Sequence, residues 1–257
     1  MRFLIGFILF ISLSCFSYPP EKEESINLNV IELNDQYNFM KKCAEKNDIE
    51  CQYKLFKFVI KNEYLLNEHA DYAFKQLINA GMNGHLNAQF DIGSLYQTGI
   101  LVEKDADAAL TWLLEASSKG HVQAMYLVGS NYENRGVESK CEKNKIENWN
   151  KAIEWYSKAN DLGFISAKRQ LGVVLLRKDI NSAEGDNLIM EAAIEGDGAS
   201  MRLVGLKFKY EWKKSQNEKD LTEAVNWYQK SVDSGYKASK EDLSKLIAEK
   251  NKIQKSK

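Results

Sequence analysis

One spacing of small residues recurs six times along the chain and constrains its fold more than any other feature. In each copy a small residue is followed by glycine four positions later, a small residue eight later and an apolar residue twelve later. The clearest copy is Ala80, Gly84, Ala88 and Ile92. The six copies, of which the first and the last two are degraded, start at Cys43, Ala80, Ala116, Ala159, Ala192 and Ser231, at spacings of 37, 36, 43, 33 and 39 residues. Periods of this length are typical of repeat arrays.

Each repeat is predicted to form two helices. Residues 86–97 carry their small and apolar side chains at helical spacing, and residues 105–120 do the same after a short loop. Gly93 and Ala109 are small enough to let these two helices approach closely, whereas Trp112 fills the space between repeats. A single repeat cannot bury its apolar face alone, so we expect an all-α array stabilised by contacts between neighbours.

The first 17 residues differ from the rest of the chain. Arg2 is followed by an apolar run from residue 3 to 13 and then by small polar residues. This layout is typical of a secretory signal peptide, and the run is shorter than the roughly 20 apolar residues that span a bilayer. We expect cleavage after Ser17, and the alternatives are a buried helix or an uncleaved anchor. Lipid attachment at Cys15 is disfavoured, because Leu13 is one position too late for the lipoprotein signal.

These observations predict a domain organisation and a location. The chain divides into a signal peptide at 1–17, an N-terminal linker or lead-in at 18–36, the repeat array at 37–245 and a basic C-terminal tail at 246–257. We expect the mature protein to be periplasmic or secreted. Its net charge of −1 gives no global indication of nucleic acid or of a lipid surface as a partner.

Three cysteines remain after the predicted signal peptide. Cys43 and Cys51 occupy the two small-residue positions of the first repeat. These positions lie on consecutive helices that approach closely, so a disulfide is geometrically feasible there, and an exported protein meets an oxidising compartment. The alternative is two buried thiols that act as small apolar residues. Cys141 is expected to be unpaired, or available to another chain.

The repeat resembles a known family. The pattern Ala-x3-Leu-Gly-x2-Tyr, a glycine loop and Lys-Ala-x2-Trp-Tyr-x2-Ala is similar to the Sel1-like repeat, a relative of the tetratricopeptide repeat, and residues 151–159 match it especially well. The resemblance covers about residues 37–245. It implies a right-handed αα superhelix used for protein–protein contact. The cysteine-rich, secreted branch of this family joins the two helices of a repeat through cysteines eight residues apart, a spacing that Cys43 and Cys51 share.

The repeat that starts at Ala116 is seven residues longer than the one before it. The additional residues lie within 134–148, a polar and charged segment. We expect this segment to be a surface loop, either a contact point for a partner or an insertion without a function, because long surface loops cost little extra entropy.

A second stripe on the first helix of each repeat lies ten, fourteen and seventeen residues after each start, which is an i, i+4, i+7 row. Its leading position is occupied in turn by Tyr53, Phe90, Tyr126, Arg169 and Arg202. If the repeats stack as the resemblance implies, these residues line the concave groove, and tyrosine and arginine are enriched in binding hot spots. They are our candidate partner-binding residues. The alternative is that the aromatic residues pack between repeats and the arginines are solvated.

The sequence gives little support for an enzyme. We expect no catalytic, metal-binding or cofactor-binding site, because the three histidines do not form a cluster with other ligands and no nucleotide-binding motif is present. Residues 234–237 fit the Ser-x-x-Lys pattern of penicillin-recognising enzymes, but Gly235 is the turn glycine of the repeat. The family resemblance implies a non-enzymatic scaffold of the bacterial envelope that binds a protein partner, as an adaptor or as an immunity protein against a toxic effector. A weak β-lactam-binding or hydrolase activity is the alternative.

Overall fold

A computed structural model of the protein describes residues 30–255, and this range is entirely helical apart from short turns. Its helices are α1 Val30–Ala44, α2 Ile49–Lys61, α3 Glu63–Met82, α4 Leu86–Thr98, α5 Ala106–Ser118, α6 Val122–Glu138, α7 Glu142–Asp161, α8 Ile165–Lys178, α9 Ala183–Ile194, α10 Gly198–Ser215, α11 Glu218–Asp233 and α12 Ser239–Lys255. The predicted signal peptide, with Cys15, lies outside the described residues. Residues 30–36 of the predicted lead-in already belong to α1.

The chain divides into two compact units at the bond between Ala124 and Met125. In the first unit each helix from α1 to α4 packs against the next one along the chain. In the second unit the same holds for the helices from α7 to α12. Packing between sequential neighbours is what the repeat spacing predicts, and the all-α repeat fold of the sequence analysis is confirmed.

The small residues let the two helices of a repeat pack closely. A Cβ atom added to Gly93 of α4 would lie 2.6 Å from Cγ of Leu113 and 3.2 Å from the carbonyl oxygen of Ala109, both on α5. In the second unit, a Cβ on Gly129 of α6 would lie 2.7 Å from the ring of Tyr156 on α7. Such distances leave no room for a side chain, so these positions require glycine.

The turn between repeats has one conformation throughout. The glycines four residues after each start have φ between 80° and 104°, and Asn47 takes the same left-handed conformation in the first repeat with φ 60°. The next residue then begins the first helix of the following repeat. Asp48, His85, His121 and Asp197 each accept a hydrogen bond there from the amide three residues later, which is the usual role of an N-cap side chain.

The extra segment 134–148 is not the surface loop that the sequence analysis expects. Only residues 139–141 lie outside helices, because α6 continues to Glu138 and α7 begins at Glu142. The helical pair is longer because Gly136 lies against Trp149, which is buried. Cys141 is exposed in the turn and has a free thiol.

A disulfide joins Cys43 to Cys51, the pair that the sequence analysis favours, with their Cα atoms 5.7 Å apart. It connects the end of α1 to the first turn of α2 across the Asp48 cap. The last helix, α12, covers the array with Leu243 and Leu246, which are buried, and residues 246–255 of the predicted tail continue this helix.

Candidate partner-binding site

The five candidate residues all lie on the first helix of a repeat, and each contacts the next repeat. Four of them contact the residue that begins the following helix pair, in the combinations Tyr53 with His85, Phe90 with His121, Tyr126 with Phe164, and Arg169 with Asp197. The fifth, Arg202, reaches Asp242 on α12 at 2.7 Å. We call these five residues the junction row, because each lies where two repeats meet.

In the first unit the junction row is aromatic. The ring centroids of Tyr53 and His85 are 4.3 Å apart, and those of Phe90 and His121 are 4.4 Å apart with the planes only 15° from parallel. Both histidines use Nδ1 to accept a backbone hydrogen bond, from Ala88 at 3.1 Å and from Ala124 at 3.2 Å. Each aromatic ring therefore holds the cap of the next repeat in place.

A polar cluster lies beside this aromatic pair. The hydroxyl of Tyr53 and the ammonium of Lys57 both donate to Oδ2 of Asp91, each at 3.1 Å. Asp91 belongs to α4 and is buried. A buried carboxylate is costly unless it is paired, so these two bonds fix α2 against α4.

In the second unit the junction row consists of one aromatic residue, Tyr126, and two arginines. Tyr126 packs edge-on against Phe164 at 5.3 Å, and burial raises the pKa of its phenol. Phe164 has no side-chain acceptor, so its carbonyl oxygen accepts the hydrogen bond from Ala167 at 2.8 Å instead.

The two arginines of the junction row are paired with carboxylates. Arg169 donates to Asp197, which also caps α10 by accepting from the amide of Ser200 at 2.7 Å. Burial alone would raise the pKa of Asp197, but the hydrogen bonds from Arg169 and Ser200 outweigh it and hold that pKa below its usual value. Arg202 pairs with Asp242 in the same way. The arginines thus hold consecutive repeats together, a contact that neither sequence-based interpretation includes.

The second unit also contains a buried carboxylate close to the row. Glu133 of α6 accepts from the hydroxyl of Tyr156 at 2.8 Å, and Nε of Arg177 on α8 lies 3.4 Å from its other oxygen. Burial raises the pKa of the Tyr156 phenol, and the carboxylate of Glu133 raises it further. This cluster fixes α6, α7 and α8 to one another.

Residues one and two turns after the junction row are partly open to solvent. On α8 these are Val173 and Leu176, and on α10 they are Leu206 and Lys209, all half-buried. These are the second and third positions of the predicted stripe. Half-buried aliphatic groups beside cationic ones are able to receive both the apolar and the acidic groups of a protein partner.

The repeat signature in the chain matches a protein-family model. The Sel1 repeat matches residues 86–121, 122–164 and 218–236. These three segments of the chain are therefore Sel1 repeats. The first two matches coincide with the repeats formed by α4 with α5 and by α6 with α7, and the third lies in α11 and the turn after it.

Solved structures are similar to this chain. A Sel1 repeat protein from Oxalobacter formigenes is 19% identical, with a TM-score of 0.58 over 88% of this chain and 100% of that one. This likeness shows the fold. An immunity protein from Pseudomonas aeruginosa is 21% identical over 74% of this chain and 67% of that one, with a TM-score of 0.47. A protective antigen of uropathogenic Escherichia coli is 18% identical over 86% and 59%, with a TM-score of 0.41. No curated protein matches the sequence significantly.

The histidines of the repeat array have structural contacts. His69 stacks on Tyr37 with ring centroids 4.0 Å apart, and His85 and His121 are helix caps. Among residues 30–255, one group has metal-ligand geometry, namely Cys43, Asp48 and Cys51. Because its two sulfur atoms form the disulfide, they are not free to bind a metal.

The Ser-x-x-Lys match at residues 234–237 coincides with a repeat turn. The hydroxyl of Ser234 donates to the carbonyl oxygen of Ser231 at 2.7 Å, and Gly235 has φ 88°. The hydroxyl of Ser234 thus bonds to the end of its own helix. A nucleophilic serine instead needs a base within hydrogen-bond reach. Within the described part of the chain, none of the helices has the length and apolar character of a membrane span.

Proposed function

We propose that this chain is a non-enzymatic scaffold that binds a protein partner on the face of the first helices of its repeats. The observation that carries this proposal is the junction row, whose members are fixed between consecutive repeats by stacking or by ion pairs. A surface whose side chains are already ordered loses little entropy on binding. The partly buried members of the row and the half-buried residues next to it would then contact the partner.

We further propose that the protein acts in the bacterial envelope. The disulfide between Cys43 and Cys51 supports an oxidising compartment, and the N-terminal segment of the sequence has the layout of an export signal. We propose two alternative roles, an adaptor that joins envelope proteins or an immunity protein that blocks a toxic effector. The identity of the partner distinguishes them.

The test compares two lysines on the same helix. Lys209 lies half-buried next to the junction row on α10, whereas Lys214 is exposed one turn further on, on another side of the helix. The mature chain is first used to capture a partner from an envelope extract. The partner is then purified, and the dissociation constant of its complex is measured with the wild type, Lys209→Glu and Lys214→Glu.

We expect Lys209→Glu to weaken binding about tenfold or more, which corresponds to roughly 1.4 kcal/mol. Lys214→Glu should bind like the wild type, and both variants should keep the melting temperature of the wild type. Equal binding by all three proteins would contradict the proposed face, and a Lys214→Glu defect of the same size would indicate a general charge effect.

A further inference from the structure

His121 occupies a position where a neutral ring is required. It is 9% exposed, and one face of its ring lies against Phe90. Its Nδ1 atom accepts the amide hydrogen of Ala124, in the first turn of α6. Nδ1 can accept this bond only while it carries no proton, since both nitrogens of a protonated imidazole are donors.

Protonation would make this arrangement unfavourable in three ways. The cap bond to Ala124 would be lost, a positive charge would be buried against an apolar ring, and that charge would lie at the N-terminus of a helix, where the macrodipole disfavours cations. Burial lowers the pKa of His121, although Asp91 and a backbone hydrogen bond act in the opposite direction.

The charged groups around His121 come from each neighbouring helix. Asp91 on α4 is the acidic group that faces the ring, and it is already bonded to Lys57 and Tyr53 of α2. From the end of α5, Lys119 bonds to Oε1 of Gln89 at 3.0 Å, next to Phe90. Since Asp91 is shared with Lys57, it offers a protonated His121 only part of a counter-charge.

We propose that His121 is an acid-sensitive latch of the first unit, which holds the cap of α6 and covers Phe90 when neutral and releases both when protonated. In acid the ring would move into water, where its charge is solvated. The first turn of α6 would then lose its side-chain cap, and one face of Phe90 would become accessible. This property belongs to the chain itself and does not depend on the proposed partner.

His85 provides an internal comparison, because it occupies the same position in the preceding repeat. It caps α4 through Nδ1 and stacks on Tyr53. Its Nε2 atom, however, lies 3.2 Å from a carboxylate oxygen of Glu50, and a hydrogen bond from His85 lowers the pKa of that carboxyl. A protonated His85 therefore keeps an ion pair that His121 lacks in the described part of the chain. We expect His121 to be the acid-sensitive member of the two.

The first test follows the stability of the mature protein between pH 7.5 and 5 by chemical denaturation. The folded state lowers the pKa of His121 below the ordinary value of 6.5, so the unfolded state binds more protons in this range and stability falls as pH falls. Asparagine caps helices well and does not titrate. His121→Asn should therefore lose less stability than the wild type on acidification, whereas His85→Asn should show the fall of the wild type.

The second test uses the wild type alone, so it does not depend on how well a variant folds. Hydrogen exchange of the Ala124 amide is measured against that of the Ala88 amide, whose cap is His85. When opening of the structure requires the uptake of one proton, its equilibrium constant increases about tenfold for each unit by which the pH falls. We therefore expect the ratio of the Ala124 exchange rate to the Ala88 exchange rate to rise steeply below pH 6.5. An NMR titration of the His121 ring should give a midpoint below the ordinary value of 6.5.

Two results would overturn the proposal. One is an acid-induced loss of stability in His121→Asn that equals that of the wild type. The other is a constant exchange ratio of the two amides across the pH range. Because neither measurement includes a partner, a failure of the latch would leave the proposed binding face untouched, and a failure of the binding test would leave the latch untouched.

Discussion

Gly136 on α6 lies directly against the indole ring of Trp149 on α7, so that a Cβ atom at Gly136 would be 2.3 Å from Cδ1 of that ring. Gly129 and Tyr156 form the same kind of contact seven residues away along each helix. Seven residues are almost two turns, which returns the chain to the same face. The longer repeat thus extends the close contact of its helix pair by about two turns.

Gly136→Ala should destabilise the protein by about 1–3 kcal/mol, because the new methyl group has to displace Trp149 from a packed site. Urea denaturation followed by circular dichroism would measure this loss. Asn134→Ala is the matched control, since Asn134 is exposed on the same helix and surface changes usually stay within about 0.5 kcal/mol. Equal stability of the two variants would show that the contact is less tight than the structure indicates.

This helix pair also shows where sequence reasoning on the fold succeeds and fails. The small residues at fixed spacing predict the helix pairs, because Gly93 and Gly129 leave space for a bulky side chain on the facing helix. Polar composition predicts a loop at 134–148, and this is wrong. The sequence does contain a signal for the longer helices, because Gly136 and Trp149 repeat the pairing of Gly129 and Tyr156. Using this signal requires knowledge of which glycine faces which aromatic ring.

Reduction of the disulfide between Cys43 and Cys51 should lower the stability of the protein. Replacing Cys43 by alanine should lower stability by about 2.5 kcal/mol, the entropy of closing a loop of this length, and reducing agent should no longer affect the variant. Cys141→Ser should unfold like the wild type, because that thiol is exposed and free. Thermal unfolding of the three proteins with and without dithiothreitol is the measurement. A wild type that is insensitive to full reduction would contradict the expected role.

Phe90 should contribute to stability as a core residue. It is 8% exposed, so Phe90→Ala would leave a cavity beside His121 and should cost about 3–5 kcal/mol. Phe39→Ala is the control, because Phe39 is 77% exposed on α1 and its loss should be close to zero. Guanidinium denaturation of both variants tests this. A small loss at Phe90 would mean that its ring is available to a partner and is not needed by the array.

The candidate row was accessible from the sequence, but its contacts were not. Periodicity identifies Tyr53, Phe90 and Arg169 as members of one stripe, because helical spacing is visible in a single repeat. The residue that each contacts belongs to the next repeat, and its distance along the chain varies with the length of the repeat. The pairing of Arg169 with Asp197 therefore required the structure, and it explains why an arginine occurs at a junction where other repeats have an aromatic ring.

The pair of Arg169 and Asp197 should make part of the stability depend on acid. Since the folded state holds the pKa of Asp197 below its ordinary value of 3.8, the stabilisation is fully present above that value and is lost as pH falls through the folded pKa. Asp197→Asn keeps a cap but loses the charge, so it should cost about 1–3 kcal/mol at neutral pH. The difference from the wild type should shrink as pH falls below 3.8.

Asp48→Asn provides the control for this comparison, because Asp48 caps α2 at the same repeat position from an exposed site. Its loss at neutral pH should stay within a few tenths of a kcal/mol, since asparagine and aspartate are similar caps. Denaturant midpoints of the three proteins between pH 7 and 3 give both quantities. A constant difference between wild type and Asp197→Asn over this range would show that the ion pair does not stabilise the junction, and its arginine would then be free to serve a partner.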